Sequence, residues 1–386
     1  MKLMKRQTER NLIVPVFAVL LLFGAAGRTT FAQTGGGRPG NPTRQERFRD
    51  RSAAPIADPD AQVEGARIEQ GPVTLKLERG GKLSLGNTSG PITIVGSERD
   101  TVEARATGSE PVGIRVYQSP SRPVLVLSVA ALSGRRVSGE ARLDVKVPRY
   151  AEIEMVDMRD GEVDVSDVDG AVVISGRSGE IRARRLGALQ VHTISGEILA
   201  QDLKGPLTAR TTHGEISVDS VQGPVEIATT HGEVTVKNAA SDVKVNSASG
   251  EIDVRCAKGR VEAITASGSI TLVGIGGDVE ANTASGEVFF KGAIRANGRY
   301  RLKSVSGEVE MAIQDNPPGF TATLVTYNGE VETVFPLKVT SPLSGGSMNR
   351  RIAGTYGDGK AELALDSFNG AVRIIKLGAN ATEGCK

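Results

Sequence analysis

A glycine returns about every eighteen residues through the middle of the chain, at Gly161, Gly179, Gly196, Gly214, Gly232, Gly250, Gly268, Gly286, Gly307 and Gly329. The steps are 18 and 17, then five of 18, then 21 and 22. Each glycine follows a polar residue, small in all but His213 and His231, and is mostly followed by Glu and an aliphatic residue. A fixed period of this length means one small structural unit used many times, and few folds accept that.

The unit is itself halved. A second glycine falls near the midpoint at Gly170, Gly187, Gly205, Gly223, Gly259 and Gly277, with Ser241 in that place once. Within each half, apolar residues alternate with polar ones: Ile216 and Val218, Val225 and Ile227, Val234 and Val236, Val243 and Val245. Period two over about five residues is the mark of a strand with one buried face. Each half-unit is therefore a short strand and a turn, the bend made by Gly or by Gly205-Pro206 and Gly223-Pro224. No 3.6-residue pattern of any length is present, so helices are expected to be nearly absent from the mature protein.

One such coil buries too few aliphatic side chains to offset the entropy of ordering it. Coils above and below must supply the missing contacts, which is the logic of a solenoid. The predicted fold is all-β, a parallel β-solenoid with about 18 residues per coil and irregular β end pieces. Nine plus nine favours two facing sheets. A further apolar position, at Val168, Leu186, Leu203, Val221, Ala239, Ala257 and Ile275, leaves a short third side open. Outside the regular array, Asn87-Thr88-Ser89-Gly90 with Ile92 and Ile94 reads as an early coil, and 124–129 and 143–147 read as strands. Residues 335–359 break the pattern as a long loop or hairpin, and Ser367-Phe368-Asn369-Gly370 returns to it.

The ends differ in composition. Residues 1–32 read as a secretory signal, with a basic start through Arg10, an apolar stretch from Leu12 to Ala26, and Thr30-Phe31-Ala32 as a small-residue cleavage site. A retained membrane span is the alternative, but the run carries Pro15 and Gly24 and falls short of the ~20 residues a span needs. Residues 33–66 form a Gly/Pro/Arg-rich tether with no periodicity to bury, left without secondary structure. Its arginines offer contact with an anionic envelope surface, the plainer reading being a soluble spacer. The rest divides into an N-terminal β region with its leading coils at 67–160, the regular solenoid at 161–334, a C-terminal β cap with an insertion loop at 335–378, and a tail at 379–386. Cys256 and Cys385 are the only cysteines of the 386 residues. Two cannot build a disulfide framework, and the expectation is two free thiols, with a Cys256–Cys385 bridge open to the chain in an oxidising compartment.

The steps Ser178-Gly179-Glu180-Ile181 and Ser195-Gly196-Glu197-Ile198, with Leu143-Asp144-Val145-Lys146-Val147-Pro148 leading into them, resemble a bacterial β-strand-repeat family labelled "putative adhesin", a domain of unknown function. The resemblance covers residues 70–378. It implies an extracytoplasmic or envelope-associated β-solenoid, with some relatives linked to envelope-stress responses, and it carries no catalytic residues over to this chain. The tether and the long insertion before residue 360 depart from the family pattern.

Stacking at a fixed period sets equivalent side chains one above another, and three rows bear on chemistry. Thr193, Thr211, Thr229, Ser247, Thr265, Thr283, Ser304 and Thr326 share parity with the buried aliphatics, and read as a hydroxyl ladder bonding coil to coil at the edge of the core. Glu180, Glu197, Glu215, Glu233 and Glu251, with Glu287 and Glu308 beyond, form a row of like charges that repel. Arg184, Lys237 and Arg255 are the expected compensators, and a divalent cation is the alternative. His213 and His231 hold one slot in successive coils. With Glu215 and Glu233 they are the candidate metal ligands, set against a duplicated surface residue as the plain reading.

The formal charge is +2, and residues 1–32 alone carry +4, so the remainder is close to −2. Such a body lacks the basic footprint of a nucleic-acid binder. From Ala151 to Val288 there is no Phe, Tyr or Trp, so the aromatic platforms of a polysaccharide-acting β-helix enzyme are missing there. No nucleophile elbow, phosphate loop or dinucleotide fingerprint is present, and no cofactor is implied. The function expected is an exported, non-enzymatic binding or spacer module of the cell envelope or surface, its ligand a protein or polysaccharide of that surface. A polymerising scaffold joined head to tail is the second reading.

Overall fold

In a computed structural model, the described residues are 65–377 apart from 88–89, 120–122, 134–136, 138, 159 and 342–349, together with Cys385. The signal peptide expected at 1–32, nearly all of the tether and the tail other than Cys385 lie outside them. The chain divides into two units, Met1–Pro55 and Ile56–Lys386, and every strand belongs to the second.

Thirty-two strands and no helix are found among the described residues. They form two sheets of 17 and 15 strands. Each regular coil gives one strand to each sheet, and successive coils pair in parallel with no slip. Ile216–Val221 lies between Ile198–Leu203 and Val234–Ala239, with Ile198, Ile216 and Val234 in one row. Val225–His231 lies likewise between Leu207–Arg210 and Val243–Ser249 in the other sheet. The alternating aliphatics face each other across the two sheets, and Val218, Ile227, Val234, Val236 and Val245 are all fully buried. One apolar core runs from Val73 to Ile374, through all three β segments delimited in the sequence. The fold expected from the repeat, a parallel β-solenoid, is the fold observed.

The question of a third side resolves into a corner. Asp167, Arg185, Asp202, Ser220, Asn238 and Cys256 take φ between 54° and 63°, a left-handed conformation that reverses the chain direction locally. The next residue then points inward: Val168, Leu186, Leu203, Val221, Ala239 and Ala257 are 0–1% exposed and fill the space between the sheets. The opposite corner is made by the main glycine row. Gly214 has φ 132°, and a Cβ there would stand 2.0 Å from the carbonyl oxygen of Gly196. Coils approach so closely at this edge that no side chain fits, which is why the period shows in the sequence as glycine.

Both ends of the column depart from chain order. The strand Lys82–Gly86 lies between Val124–Ala131 and Glu152–Met158, and Ile92–Ser97 lies between Ala141–Pro148 and Val163–Ser166. At the other end Ala361–Asn369 lies between Arg299–Ser306 and Phe320–Asn328, and Val372–Lys376 lies between Val309–Ile313 and Val331–Thr333. The first and last coils in sequence are thus each threaded inside a coil formed by the chain's more central part. A terminal coil that would fray at a solenoid end is instead held from two sides.

Antiparallel strands close the column. Val112–Gln118 turns back on Val124–Ala131, and Thr101–Gly108 on Ala141–Pro148. The expected hairpin within 335–359 is present as Lys338–Ser341 against Arg350–Tyr356, the latter pairing with Phe320–Asn328. Phe320, Phe335 and Tyr356 pack against one another beneath it, with ring centroids 5.2–5.6 Å apart.

The expectation of free thiols is corrected. Cys256 and Cys385, 129 residues apart, form a disulfide with Cα atoms separated by 5.2 Å. The repeat concealed this because it says where Cys256 lies and nothing about where the chain goes after its last coil. In the chain-entropy model a closed loop of that length is worth about 5 kcal/mol.

Candidate functional site

The glycine corner is where stacked side chains reach solvent. Three residues before each glycine, the hydroxyl row turns inward: Thr211, Thr229, Thr265, Thr283, Ser304 and Thr326 are 0–8% exposed. Its hydrogen bonds are of two kinds. The hydroxyls of Thr193, Thr211, Thr229 and Thr265 donate within their own coil, to the carbonyls of Ser195, His213, His231 and Ser267. Those of Thr283, Ser304, Thr326 and Ser367 donate across to the carbonyl of a glycine in a neighbouring coil, Gly268, Gly286, Gly370 and Gly307, at 2.8–3.0 Å. These four, and Thr193, whose hydroxyl also reaches the Arg177 carbonyl of the neighbouring coil at 3.3 Å, form the coil-to-coil ladder expected. Ser247 Oγ is buried and finds no partner among the described residues.

His213 and His231 do adjoin. Their rings stack with centroids 5.1 Å apart and planes within 4°, and backbone bridges join Ser195, His213 and His231. No group of three or more His, Cys, Asp or Glu suited to a metal occurs among the described residues, so Glu215 and Glu233 do not join the rings in such a group. Two imidazoles fall short of the three or four protein ligands of a zinc site.

Within the glutamate row, Glu180 and Glu308 are paired, and with arginines other than those expected. Arg182 contacts both Glu162 and Glu180, and Arg373 contacts Glu308 and Glu332. Arg184 pairs with Asp164 and Arg255 with Asp253. Arg184 and Arg255 share outward parity with the glutamates but sit four residues beyond Glu180 and Glu251, two past the slot that holds Asp164 and Asp253. At the opposite corner Asp169 accepts from Arg149 and Lys204, and these two hold its carboxyl at about 2. The Arg185 guanidinium likewise lowers Asp167.

An open groove of about 360 Å³ runs along the Gly-Pro turns at Pro206 and Pro224. Its charged rim is engaged in ion pairs, Lys244 with Glu262 at 3.0 Å and Arg260 with Glu280 at 2.8 Å.

What the sequence reading missed lies one residue outward of the hydroxyl row. Strand register places Ala266, Ala284, Val305, Phe368 and Tyr327 in one line across successive layers. Val305, Phe368 and Tyr327 are 45%, 48% and 41% exposed. The two rings stack with centroids 4.8 Å apart and planes within 3°. Beside them Asn328 Nδ2 donates to Asn369 Oδ1 at 2.9 Å. The result is an apolar ridge, ending in two aromatic rings, flanked by neutral amides and the Ser306 hydroxyl. The signal that could have found it is the shared slot in Tyr327-Asn328-Gly329 and Phe368-Asn369-Gly370. The threading that makes the two coils neighbours is absent from the linear pattern.

The model of the Toastrack DUF4097 family matches residues 76–272 and 225–375. None of the curated proteins matches the chain. Among solved structures, a "putative cell adhesion protein" from Clostridium sporogenes ATCC 15579 is similar at 13% identity and TM-score 0.20, covering 81% of this chain and 100% of that one. A "putative adhesin" from Bacteroides fragilis NCTC 9343 is similar at 11% identity and TM-score 0.26, covering 81% of this chain and 98% of that one. Likenesses this slight carry no functional argument. The family match spans most of the chain and bears out the resemblance read from the Ser-Gly-Glu-Ile steps: the chain belongs to the Toastrack DUF4097 family.

Proposed function

We propose that this is an exported, non-enzymatic β-solenoid of the cell envelope or surface, a stiff spacer that binds a surface ligand through one end. The observation that carries the reading is the stack of Phe368 on Tyr327, two aromatic rings left in solvent in a slot that elsewhere bears Ala266, Ala284 and the exposed aliphatics Ile194 and Val305. Exposed apolar ridges rimmed by neutral polar groups serve recognition. The Cys256–Cys385 disulfide supports an oxidising compartment and so an extracytoplasmic location.

Assembly head to tail is the weaker reading. It needs open coil ends, and the outermost strands are only three or four residues long: Arg67–Glu69, Val73–Lys76, Val331–Thr333 and Lys338–Ser341. Short, charged edge strands are how sheets avoid adding another chain.

The test is capture from envelope fractions, polysaccharide and protein alike, by the purified chain and by the double variant Tyr327→Ala, Phe368→Ala. Material retained by the wild type and lost by the variant supports the proposal. Equal capture by both, or none by either, overturns it.

A further inference from the structure

The disulfide fastens Cys385 to the column four layers from the threaded C-terminal coil. Cys256 belongs to the left-handed corner row, with φ 58°, so it is presented at the edge of the column and is only partly buried. One layer on, the same row holds Gly274, with φ 67° and its missing Cβ 2.4 Å from the sulfur of Cys385. The next layer has Gly292 in that place, its own missing Cβ 3.3 Å from the backbone nitrogen of Gly274. The corner is therefore free of side chains between Cys256 and the layer of Ile313, whose carbonyl accepts from Leu377 N at 2.8 Å. Residues 377 and 385 thus anchor the two ends of one short segment, four layers apart. At about 4.8 Å per layer and at most about 3.5 Å per residue, the chain between them is long enough to span that distance.

The bond joins surfaces, not the core. Cys385 is exposed, while the coil it secures is already packed through Leu363, Leu365, Val372 and Ile374, all 0–1% exposed. The coil has neighbours on both sides, and the outer coil, 320–333, rests on it.

From this placement we infer that Cys256–Cys385 is an exchangeable latch on the C-terminal end, opened by a dithiol reductant. The reductant's thiolate attacks the exposed Cys385 sulfur, breaking the Cys385–Cys256 bond and releasing the Cys256 thiolate. Its second thiolate then attacks its own sulfur in the mixed disulfide and frees Cys385. Two electrons pass to the protein, the two protons given up by the dithiol end on Cys256 and Cys385, and the reductant leaves as a disulfide. With the latch open, coil 361–376 is held only by its packing and its strand pairing, and it opens together with coil 320–333, carrying Tyr327 and Phe368 out of register. The latch is independent of whether the aromatic ridge binds a ligand.

The experiment is hydrogen exchange on the full chain, oxidised and after dithiothreitol, with thiol alkylation to count the cysteines released. The inference expects two alkylated thiols in the native protein and exchange in 361–376 and 320–333 faster by about tenfold or more, with coils 207–239 unchanged. Cys385→Ser should show the same pattern without reductant and no further change with it. A bond that resists dithiothreitol in the folded protein overturns the inference. So does unchanged exchange after reduction, or exchange that rises equally along the whole column, which would mark a structural staple. If the variant fails to fold, the reduced wild type decides.

Discussion

Phe368 lies face to face with Tyr327, 41 residues earlier in the chain, because the final coil enters the column beneath the coil that precedes it in sequence. The pair joins the two outermost coils on the solvent side, where no core residue can. Truncating either ring to alanine should therefore cost little stability alone, and a double-mutant cycle should return a coupling of about 0.5–1.5 kcal/mol. Thermal melting of the two single variants and the double variant measures it. Strict additivity would show that the rings do not interact in solution.

Val234 and Thr235 are adjacent and point to opposite sides of one strand. Val234 is fully buried between the sheets, whereas Thr235 is half-exposed and donates to Glu233. Val234→Asp buries a carboxylate without a partner and should cost about 3 kcal/mol or more. Thr235→Asp should be mild, its chief penalty being repulsion from Glu233. Urea melts of the two variants should separate widely, and coincident midpoints would refute the assignment of faces.

The hydroxyl row contains its own control. Ser304 is 1% exposed and donates to the Gly286 carbonyl at 2.8 Å, while the buried Ser247 hydroxyl has no partner among the described residues. Ser304→Ala should cost about 1 kcal/mol, whereas Ser247→Ala should be neutral or stabilising, because it removes a desolvated group that forms no bond. Calorimetry on both variants decides, and the ordering of the two matters more than either size.

The regular coils were legible because a single steric fact repeats: a carbonyl such as that of Gly196 leaves no room for a Cβ at Gly214. Alternation then fixed which residues, Ile216 and Val218 among them, meet in the core. The ends were not legible, for a physical reason. Parallel coils of like sequence stack equally well in several orders, and nothing in the spacing from Gly307 to Gly329 says that Gly370 will lie between them. The disulfide and the aromatic pair both depend on that order, so both escaped the reading. The His213–His231 stack was legible, since it needs only neighbouring coils, yet among the described residues no group of three or more metal-binding side chains forms around it.

Asp169 gives the column a defined acid response. Hydrogen bonds from Arg149 and then Lys204 hold its pKa at about 2, below the ordinary 3.8. A carboxylate depressed in the folded state stabilises fully above its unfolded pKa and loses that contribution as pH falls from 3.8 towards 2. Asp167, lowered by Arg185, adds in the same direction. The Asp169 side chain is 39% exposed, so solvent screening holds its share below about 1 kcal/mol. Asp169→Asn should lower the melting temperature at pH 6 and narrow the gap to wild type by pH 2. A constant gap across that window would remove the pair from the account.

Gly274 ties the corner geometry to the latch. Alanine there meets two penalties: a left-handed backbone, φ 67°, and a Cβ 2.4 Å from the Cys385 sulfur. The first costs about 1 kcal/mol, and Asn238→Ala, in the same corner row with φ 54° and losing only a hydrogen bond to Asp219 at 2.8 Å, is the comparison away from the disulfide. Asn238→Ala should lower stability by a similar small amount and leave the disulfide intact. Gly274→Ala should, in addition, shift the thiol–disulfide equilibrium of Cys256 and Cys385 towards the free thiols, read by alkylation in a defined redox buffer. The sulfur must move aside to accommodate the new methyl group, and the strand bond from Gly274 N to the Lys291 carbonyl at 2.8 Å prevents the backbone from yielding instead. If both variants kept the same oxidised fraction, the glycine would matter only for its φ, and the close seating of Cys385 on the column would not be a feature of the protein in solution.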